Sequence, residues 1–404
     1  MKVLWLHNHY RVHGGESAAA DREARLLAAT PGVTVVQEAA HNAAIDDMGA
    51  LARLALPLRN AWSIASHRRV RALCRAHRPD VVHAHNVWPL LSPSVFAAAR
   101  AERVPAVFTA HNYYLFCLNG VFFRDGRICT DCAGRLPWPG VLHRCYRGLA
   151  GSATRLFGTA LHRALRTFRR VDRILVPTEF ARRQFLEQGF APERVQTKWL
   201  SCEDPLRGAH EAPPAPPGPP RFLVACRLVR EKGVHVLLAA AAHAQQPWTL
   251  TIAGDGPEAA GLRATAQGLG GRVQFLGQLP PPAVQAEMAR ATAVLLPSIW
   301  YETFGLTAIE AFAAGRPVVA SALGAMQEIV TDDAGLAIAA GDAIAWARAL
   351  DRLAADRDVA ARLGAGARRR YLQYFTPEHD ARRLLSAYQS VCPHADTVGQ
   401  SPAP

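Results

Sequence analysis

Two glutamates in the second half of the chain have a spacing that suits a ligand with both hydroxyl and anionic groups. Glu302 and Glu310 have seven residues between them and flank the start of a helix that we expect near Gly305 or Leu306. A helix N-terminus offers unpaired amides to anions, and carboxylates accept hydrogen bonds from hydroxyls. The pattern predicts a binding site for such a ligand; solvated carboxylates beside a helix dipole are the alternative.

Two cations stand on one loop between an expected strand and the next helix, where they would suit a diphosphate. These residues are Arg227 and Lys232, and a solvated surface loop is the alternative explanation. Lys232 is informative because the chain has three lysines, and the other 43 of its 46 basic residues are arginines. Near the N-terminus, Gly14 and Gly15 either let backbone amides approach an anion or form a tight turn.

These residues follow short apolar strands that alternate with helical stretches in both halves of the chain. The alternation predicts an α/β fold of two doubly wound domains, whose ligands bind beyond the carboxyl ends of parallel strands. The proline-rich stretch 211–220 lacks most of its backbone donors and is expected to be a linker. The boundaries expected are 1–202, a linker over 203–220, a second domain over 221–375, and a helix and tail over 376–404.

The composition excludes several classes of protein. No segment approaches the ~20 apolar residues that span a bilayer, and the first apolar run is too short for a secretory signal, so a cytoplasmic protein is expected. The loop at Gly14 and Gly15 matches neither the dinucleotide-binding glycine pattern nor a Walker loop, which disfavours oxidoreductases and P-loop enzymes. No aromatic-interleaved basic motif is present, so nucleic acid is not an expected partner.

A resemblance to a known family rests on five motifs that occur in order along nearly the whole chain. They are Gly14-Gly15-x-Ser17, Arg227 with Lys232-Gly233, Ile252-x-Gly254-x-Gly256-Pro257, Phe275-x-Gly277, and the E-x7-E segment from Glu302 to Glu310 with Gly315-x-Pro317 after it. Together they resemble the family 4 retaining glycosyltransferases of the GT-B fold, which has two Rossmann-like domains that face each other across a cleft. The resemblance implies the same fold here, with a C-terminal helix that crosses back.

The resemblance also implies roles for individual residues. Arg227 and Lys232 would bind the donor diphosphate, with Gly14 and Gly15 approaching it, and Glu310 would bind the ribose. The transferred sugar would be held by Glu302, by His111 at the end of a strand, and by the backbone of Phe304, Gly305 and Leu306. No catalytic metal is expected. The sequence departs from the family pattern at 324–328, so the loop beside the sugar is not carried over.

The function implied is transfer of a sugar from a nucleotide-diphosphate sugar to a glycan or lipid-linked acceptor, in the synthesis of cell-surface polysaccharide or glycolipid. We expect a hexosyltransferase that retains the anomeric configuration. The alternatives are a nucleotide-sugar 2-epimerase of the same fold, a non-catalytic sugar-binding or scaffold protein, and a nucleic-acid-binding protein. The sequence does not identify the donor sugar, the nucleotide base or the acceptor.

Four of the eight cysteines fall in one window, which we expect to be an insert over about 113–147. Cys117, Cys129, Cys132 and Cys145 include a Cys-x2-Cys pair, a spacing at which two thiolates reach one tetrahedral ion. The window is expected to lack a core large enough to order it unaided, which favours a structural zinc. Reduced thiols, a redox disulfide and an iron–sulfur cluster are the alternatives.

The positive charge lies entirely in the first half of the chain. Residues 1–202 hold 28 basic and 14 acidic residues, and the remainder holds 18 and 19. Two basic stretches, 59–78 and 155–170, have apolar residues at helical spacing and predict amphipathic helices that suit an anionic membrane surface. Core-packed helices with a solvated basic face are the alternative. We therefore expect peripheral association with the inner face of the membrane.

Overall fold

The computed structural model divides the chain into two compact units and describes residues 1–11, 14–214 and 218–392. The first unit comprises Met1–Val121, Thr130–Trp199 and the chain from Glu378 onward. The second comprises Phe122–Cys129 and Leu200–Pro377. The tail expected after the last helix lies, from residue 393, outside the described residues.

Strands and helices alternate in the chain up to Trp199. Their bounds are β1 (Lys2–His9), α1 (Gly15–Ala28), β2 (Thr34–His41), α2 (Ala50–Leu54), α3 (Leu56–Ala61), α4 (Ile64–His77), β3 (Val81–Ala84), α5 (Ser94–Ala101), β4 (Ala106–Thr109), β5 (Phe123–Arg124), β6 (Arg127–Ile128), α6 (Pro139–Leu142), α7 (Gly148–Ala164), β7 (Arg173–Val176), α8 (Glu179–Glu187) and β8 (Val195–Thr197). β5 and β6 form an antiparallel hairpin.

The sheet of the first unit is parallel, with the order β2-β1-β3-β4-β7-β8. Its central strands are buried on both faces, as in sheets covered by helices on either side. β1 lies between β2 and β3, so the strand order reverses at β1. The loops after β1 and β3 are therefore adjacent at the carboxyl edge, where ligands bind in doubly wound sheets.

The elements of the second unit are β9 (Arg221–Ala225), α9 (Val234–Ala242), β10 (Thr249–Ala253), α10 (Ala259–Ala266), β11 (Val273–Gly277), α11 (Pro281–Ala289), β12 (Ala293–Leu296), α12 (Leu306–Ala313), β13 (Val318–Ser321), α13 (Met326–Ile329), β14 (Gly335–Ile338), α14 (Ala343–Ala355) and α15 (Arg357–Tyr374). The sheet is parallel, with the order β11-β10-β9-β12-β13-β14. Here the strand order reverses at β9, between β10 and β12.

The last helix, α16 (Pro377–Gln389), packs into the core of the first unit. Its Leu384, Ala387 and Tyr388 are fully buried against a cluster that includes Trp5 and Leu27. The expected return of the C-terminal helix is therefore confirmed. The apolar spacing of α16 is explained by this core contact.

The two long basic helices expected over 59–78 and 155–170 are each interrupted. α7 ends at Ala164, and Arg166 adopts a left-handed backbone with φ 53°. In the other stretch, Trp62 is extended, with φ −150°, between α3 and α4. The prediction of continuous amphipathic helices was therefore wrong, because local turns override the apolar periodicity at both places.

Candidate active site

The carboxyl edge of the second unit brings together two charged residues that lie far apart in the sequence. The Lys232 Nζ lies 2.6 Å from Oε1 of Glu302, and the Ser298 hydroxyl donates a hydrogen bond of 2.6 Å to the same oxygen. The ammonium also lies 5.2 Å from the centre of the Trp300 ring. The adjacency of β9 and β12 produces this meeting, because the loop after each strand carries one partner.

Gly233 fixes how closely the two loops approach. It adopts a left-handed backbone, with φ 71°, and a Cβ placed there would lie 1.9 Å from the carbonyl oxygen of Pro297. The Ile299 amide donates a 2.9 Å hydrogen bond to the carbonyl oxygen of Glu231, which ties the loops together again. A glycine is needed here for both its backbone conformation and its lack of a side chain.

Burial lowers the pKa of Lys232, but the Glu302 carboxylate opposes this effect and raises the pKa above its ordinary value. Lys232 is therefore a cation at neutral pH, held in place by a carboxylate. Arg227, on the same loop, is exposed. The loop after β9 thus carries two positive charges, Lys232 held by Glu302 and Arg227 exposed beside it, and two such charges can stabilise a diphosphate.

The N-terminus of α12 lies at the same edge. α12 begins at Leu306, as expected, and the Thr307 hydroxyl donates a 3.5 Å hydrogen bond to the carbonyl oxygen of Ala225, the last residue of β9. Gly305 precedes the helix with φ 92°. Phe304 is buried, and Glu310 lies partly exposed in the second turn of the helix. The start of α12 therefore lies against the end of β9, the strand from which the Lys232 loop continues.

Residues 324–328, where the sequence departs from the family pattern, contact the start of α12. A Cβ on Gly305 would lie 2.5 Å from Cε of Met326, the first residue of α13. Met326 is buried, so its side chain packs against the backbone that precedes α12. Methionine therefore shapes this loop in the present chain.

In the first unit, Gly14 and Gly15 lie at the start of α1, directly beyond the carboxyl end of β1. Gly14 precedes the helix with φ −131°, an extended conformation that any residue adopts. Among the described residues beyond its chain neighbours and its own helix, no heavy atom lies within 4 Å of a Cβ placed there. Backbone conformation does not require a glycine at position 14, and the helix N-terminus that follows it is a position that favours anions.

His111 lies beyond β4 and is buried against a second histidine. Its Nε2 lies 2.7 Å from Nδ1 of His85, which follows β3. Burial lowers the pKa of His111 to about 4 and lowers the pKa of His85 well below its ordinary value. Both imidazoles are neutral at physiological pH, so His111 can exchange neutral hydrogen bonds with a ligand.

A buried ionic cluster of Lys198, Glu23 and Asp380 lies next to the histidines. Lys198 Nζ lies 2.7 Å from Oε2 of Glu23 and also contacts Asp380 of α16. Burial lowers the pKa of Lys198, but the two carboxylates outweigh burial and raise it. Oε1 of Glu23 lies 3.5 Å from Nδ1 of His83 and 3.4 Å from Nε2 of His85, and the Tyr388 hydroxyl lies 2.7 Å from Nδ1 of His83. The last helix therefore helps to position the strand ends that carry the candidate site.

Glu16 in the first turn of α1 connects this edge to the segment after His111. The Asn112 Nδ2 donates a 2.9 Å hydrogen bond to Oε2 of Glu16, and the Tyr10 hydroxyl lies 3.5 Å from the same oxygen. Burial raises the pKa of Glu16 to about 7, and the two hydrogen bonds oppose part of that rise. A carboxyl group that titrates near neutrality thus lies beside the candidate site.

Two family models match this chain, one in each half. Residues 24–197 match the model of Glycosyltransferase Family 4, and residues 208–370 match that of Glycosyl transferases group 1. This chain belongs to the family 4 glycosyltransferases. The resemblance drawn from the motifs is confirmed. The E-x7-E segment from Glu302 to Glu310 lies inside the region matched by Glycosyl transferases group 1.

Of two curated relatives of this glycosyltransferase, one matches most of its length and the other matches less than half. The glycogen synthase of Mycobacterium tuberculosis is 29% identical over 363 residues, which are 85% of this chain and 78% of that protein. The D-inositol 3-phosphate glycosyltransferase of Corynebacterium urealyticum is 36% identical over 179 residues, 41% of this chain and 42% of that protein.

Solved structures confirm the GT-B fold of the glycosyltransferase. Anabaena HepE in complex with UDP has a TM-score of 0.67 at 18% identity, over 96% of this chain and 100% of that one. Sucrose-phosphate synthase from Thermosynechococcus elongatus has a TM-score of 0.71 at 20% identity, over 98% and 100% of the two chains. Identities this low show the fold alone.

The cysteine window of the glycosyltransferase is partly buried. Phe116 and Phe122 are fully buried, and the Phe116 ring packs edge-on against Phe185 at 4.8 Å. This burial involves Phe185 of α8, which lies outside the window, so it does not test whether the window has a sufficient core of its own. Cys117 and Cys132 are buried, and Cys129 and Cys145 are partly exposed.

One group of three potential metal ligands occurs among the described residues, and it does not include the cysteines. Glu23, His83 and His85 each offer a ligand atom within 4.8 Å of the others. Lys198 already supplies a positive charge to Glu23, and both ring nitrogens of His83 have hydroxyl partners. These residues are better explained as a hydrogen-bonded support than as a metal site. The structural zinc stays a prediction.

Sequence reasoning missed His85 and Glu16. His85 follows β3 directly, so the rule that picked out His111 at the end of β4 also applied to it. Glu16 had no such signal, because its raised pKa depends on burial beneath Tyr10 and Asn112. Strand ends can be read from the sequence, whereas burial of a helix-start carboxyl requires the folded structure.

Proposed function

We propose that this glycosyltransferase transfers a hexose from a nucleotide-diphosphate sugar to a glycan or lipid-linked acceptor, with retention of the anomeric configuration. Synthesis of a cell-surface polysaccharide or glycolipid is the process we infer. The observation that carries the proposal is the ion pair of Lys232 and Glu302 beside the N-terminus of α12. This arrangement supplies a cation, helix amides and a carboxylate to one ligand.

The ion pair accounts for how the donor would be bound. Lys232 exchanges its contact with Glu302 for the donor diphosphate, with Arg227 as a second cation. Glu302 is then released to accept a hydrogen bond from a hydroxyl of the transferred sugar. Glu310, one turn into α12, binds the ribose hydroxyls. The diphosphate carries more negative charge as it leaves, so fixed cations stabilise the transition state more than the ground state.

His111 contributes as a neutral group. Its pKa of about 4 keeps it uncharged, so it binds a sugar hydroxyl as a neutral hydrogen-bonding group and not an anion as a cation. In the front-face reaction that the family resemblance suggests, the acceptor oxygen forms a bond to the anomeric carbon as the bond to the diphosphate breaks. The acceptor proton passes to the departing diphosphate oxygen. No side-chain nucleophile is needed.

The comparisons offer a first donor to test. The solved structures of Anabaena HepE hold UDP, UDP with glucose, or UDP-glucose. We therefore begin with UDP-glucose and extend the panel to other UDP, GDP and ADP sugars. Donor binding is measured as a rise in thermal unfolding temperature, and a donor at 100 times its Kd stabilises the protein by about 2.7 kcal/mol.

Variants test the residues of the donor site. Lys232→Met and Glu310→Ala should remove donor-induced stabilisation while the unliganded protein remains folded. Arg230→Met is the matched control, because Arg230 is an exposed cation on the same turn as Lys232. Donor affinity that survives both site variants contradicts the assignment. Formation of an epimerised sugar without any acceptor favours the epimerase alternative.

We also propose peripheral binding to an anionic membrane, on a surface that overlaps only the start of the expected basic stretch 59–78. Leu51, Leu54 and Leu58 on α2 and α3 are 84%, 78% and 66% exposed, and Arg53 and Arg59 lie on the same helices. Exposed leucines interleaved with arginines suit the boundary between lipid headgroups and acyl chains. In the described part of the chain, no helix is long and apolar enough to cross a bilayer.

Vesicle co-sedimentation tests the membrane proposal. The protein should bind vesicles that contain phosphatidylglycerol at low salt, and binding should weaken as salt rises. Leu54→Gln with Leu58→Gln should reduce binding strongly. Ile344→Gln is the matched control, because Ile344 is an exposed apolar residue of α14 in the second unit. Equal binding by the double variant and the wild type contradicts the proposed surface.

A further inference from the structure

A cavity of about 520 Å³ lies within the first unit and has a strongly basic lining. Its volume falls in the range of small-molecule sites. One carboxylate, that of Glu187, lines it against four guanidinium groups, and aromatic rings form part of the wall. The arginines and the two rings used below are Arg155, Arg163, Arg166, Arg169, Trp88 and Tyr114.

Arg155 is a buried cation that forms no ion pair within 4.0 Å among the described residues, although its charge is near enough to Glu16 to lower the pKa of that carboxyl. It is 7% exposed, and its Nη2 has no hydrogen-bond partner among those residues. The guanidinium carbon lies 3.7 Å from the centre of the Tyr114 ring and 5.3 Å from that of Trp88. Burying an unpaired charge is unfavourable, so a guanidinium aimed into a cavity indicates a missing anion.

Two neighbouring arginines donate hydrogen bonds to backbone carbonyl oxygens, which are uncharged partners. Arg163 donates a 3.5 Å hydrogen bond to the carbonyl oxygen of Leu115, and Arg169 donates one of 3.2 Å to that of Gln188. Burial lowers the pKa of Arg163, with Arg169 adding to the effect. Carbonyl oxygens orient these side chains without neutralising them.

The cavity adjoins the candidate site of the first unit. The Tyr114 amide donates a 3.0 Å hydrogen bond to Oδ1 of Asn112, and Asn112 in turn binds Glu16. Tyr114 is three residues beyond His111. A ligand that fills the cavity therefore lies beside the segment that carries the candidate sugar-binding histidine.

We infer that this cavity binds the acceptor, and that the acceptor carries an anionic group, either a phosphate or a carboxylate, on a sugar or polyol. Arg155 binds the anion with its unpartnered Nη2, and the aromatic wall packs against the carbon face of the ring. The inference rests on the proposed glycosyl transfer, since it names the class of acceptor. Arginine suits this task because its planar fork matches phosphate and carboxylate geometry.

Binding of model anions at constant ionic strength tests the inference without any donor. Glucose 6-phosphate, glucuronate, inorganic phosphate and glucose are titrated by calorimetry. We expect glucose 6-phosphate or glucuronate to bind and glucose to bind far more weakly. The stronger of the two anions identifies the charged group. Inorganic phosphate that binds as tightly as both sugar anions overturns the acceptor assignment, and so does the failure of all three anions to bind.

Variants locate the binding. Arg155→Met should weaken binding of the sugar anion by about tenfold or more, and Arg155→Lys should weaken it less. Arg68→Met is the matched control, because Arg68 is exposed on α4 of the same unit and does not line the cavity. We expect Arg155→Met to unfold at an unchanged or higher urea concentration. A folded Arg155→Met protein with undiminished affinity overturns the inference.

The two proposals fail in different ways. Donor-induced stabilisation without binding of any sugar anion leaves glycosyl transfer supported and overturns the anionic acceptor. Binding of a sugar anion that depends on Arg155, without binding of any nucleotide sugar, overturns the proposed donor chemistry and leaves the anion site standing.

Discussion

Glu16 should make the stability of this glycosyltransferase depend on pH, and Glu16→Gln should remove that dependence. Its carboxyl accepts a 2.9 Å hydrogen bond from Asn112 and contacts Tyr10 at 3.5 Å. Burial raises its pKa from 4.5 to about 7. Glutamine keeps the size and an acceptor oxygen but has no charge, so it resembles the protonated carboxyl.

The magnitude follows from the two pKa values. The folded pKa lies above the unfolded one, so the stabilising contribution is fully present below about pH 4.5. It is lost as pH rises from there through about 7, because the unfolded chain ionises this carboxyl while the folded state, in which the carboxyl is partly buried, keeps its proton. A shift from 4.5 to about 7 corresponds to about 3 kcal/mol of unfolding free energy. At pH 8.5 the Glu16→Gln protein should be the more stable by about that amount.

Urea unfolding followed by tryptophan fluorescence measures this difference. The gap in unfolding free energy between Glu16→Gln and the wild type should grow from near zero at pH 4 to about 3 kcal/mol at pH 8.5. Glu193→Gln is the control, since Glu193 is exposed in the same unit. Other titrating groups, such as His111, are common to both proteins and cancel. A gap that stays constant with pH, or a variant that is less stable at pH 8.5, refutes the reasoning.

Three further perturbations test other parts of the structure. Lys198→Met leaves two buried carboxylates without their cation and should lower the unfolding free energy by about 3–5 kcal/mol in urea; no loss would show that the ionic group does not support the first unit. Gly233→Ala places a Cβ against a backbone oxygen at 1.9 Å and should cost about 2–4 kcal/mol and abolish donor-induced stabilisation; normal donor binding would contradict the tight loop contact. Cys129→Ser with Cys132→Ser tests the structural zinc: wild-type protein purified without added zinc should hold about one zinc per chain by elemental analysis, the double variant should hold none, and metal-free wild type ends the hypothesis.

Part of the candidate site could be located from the sequence because the information for it is local. The start of α12 after Gly305 depends on a residue that tolerates a positive φ and on the apolar spacing that follows it. The same kind of local pattern, a short apolar run followed by glycine or a polar residue, placed Lys232 in the loop after a strand and His111 at the end of a strand. Because parallel strands in doubly wound sheets present their carboxyl ends to one edge, these residues could be assigned to candidate sites without coordinates.

Helix length was harder to predict, and the physical reason is visible at two residues. Trp62 and Arg166 interrupt stretches whose apolar periodicity would otherwise continue. Periodicity reports which face a segment would bury if it were helical, but a single residue with extended or left-handed backbone ends the helix. Periodicity also assigned the arginines of 155–170 to a solvent face, whereas Arg155, inside α7, is buried in the wall of a cavity.

The sequence by itself determined the two doubly wound domains, the strand ends and the family motifs, because these depend on local spacing and on single glycines. The tertiary structure alone decided which distant residues meet. Lys232 pairs with Glu302 because β9 and β12 are neighbours, and His111 meets His85 because β4 lies beside β3. Such pairings depend on strand order, and so does the burial of Arg155, because no stretch of chain specifies alone which other stretches will surround it.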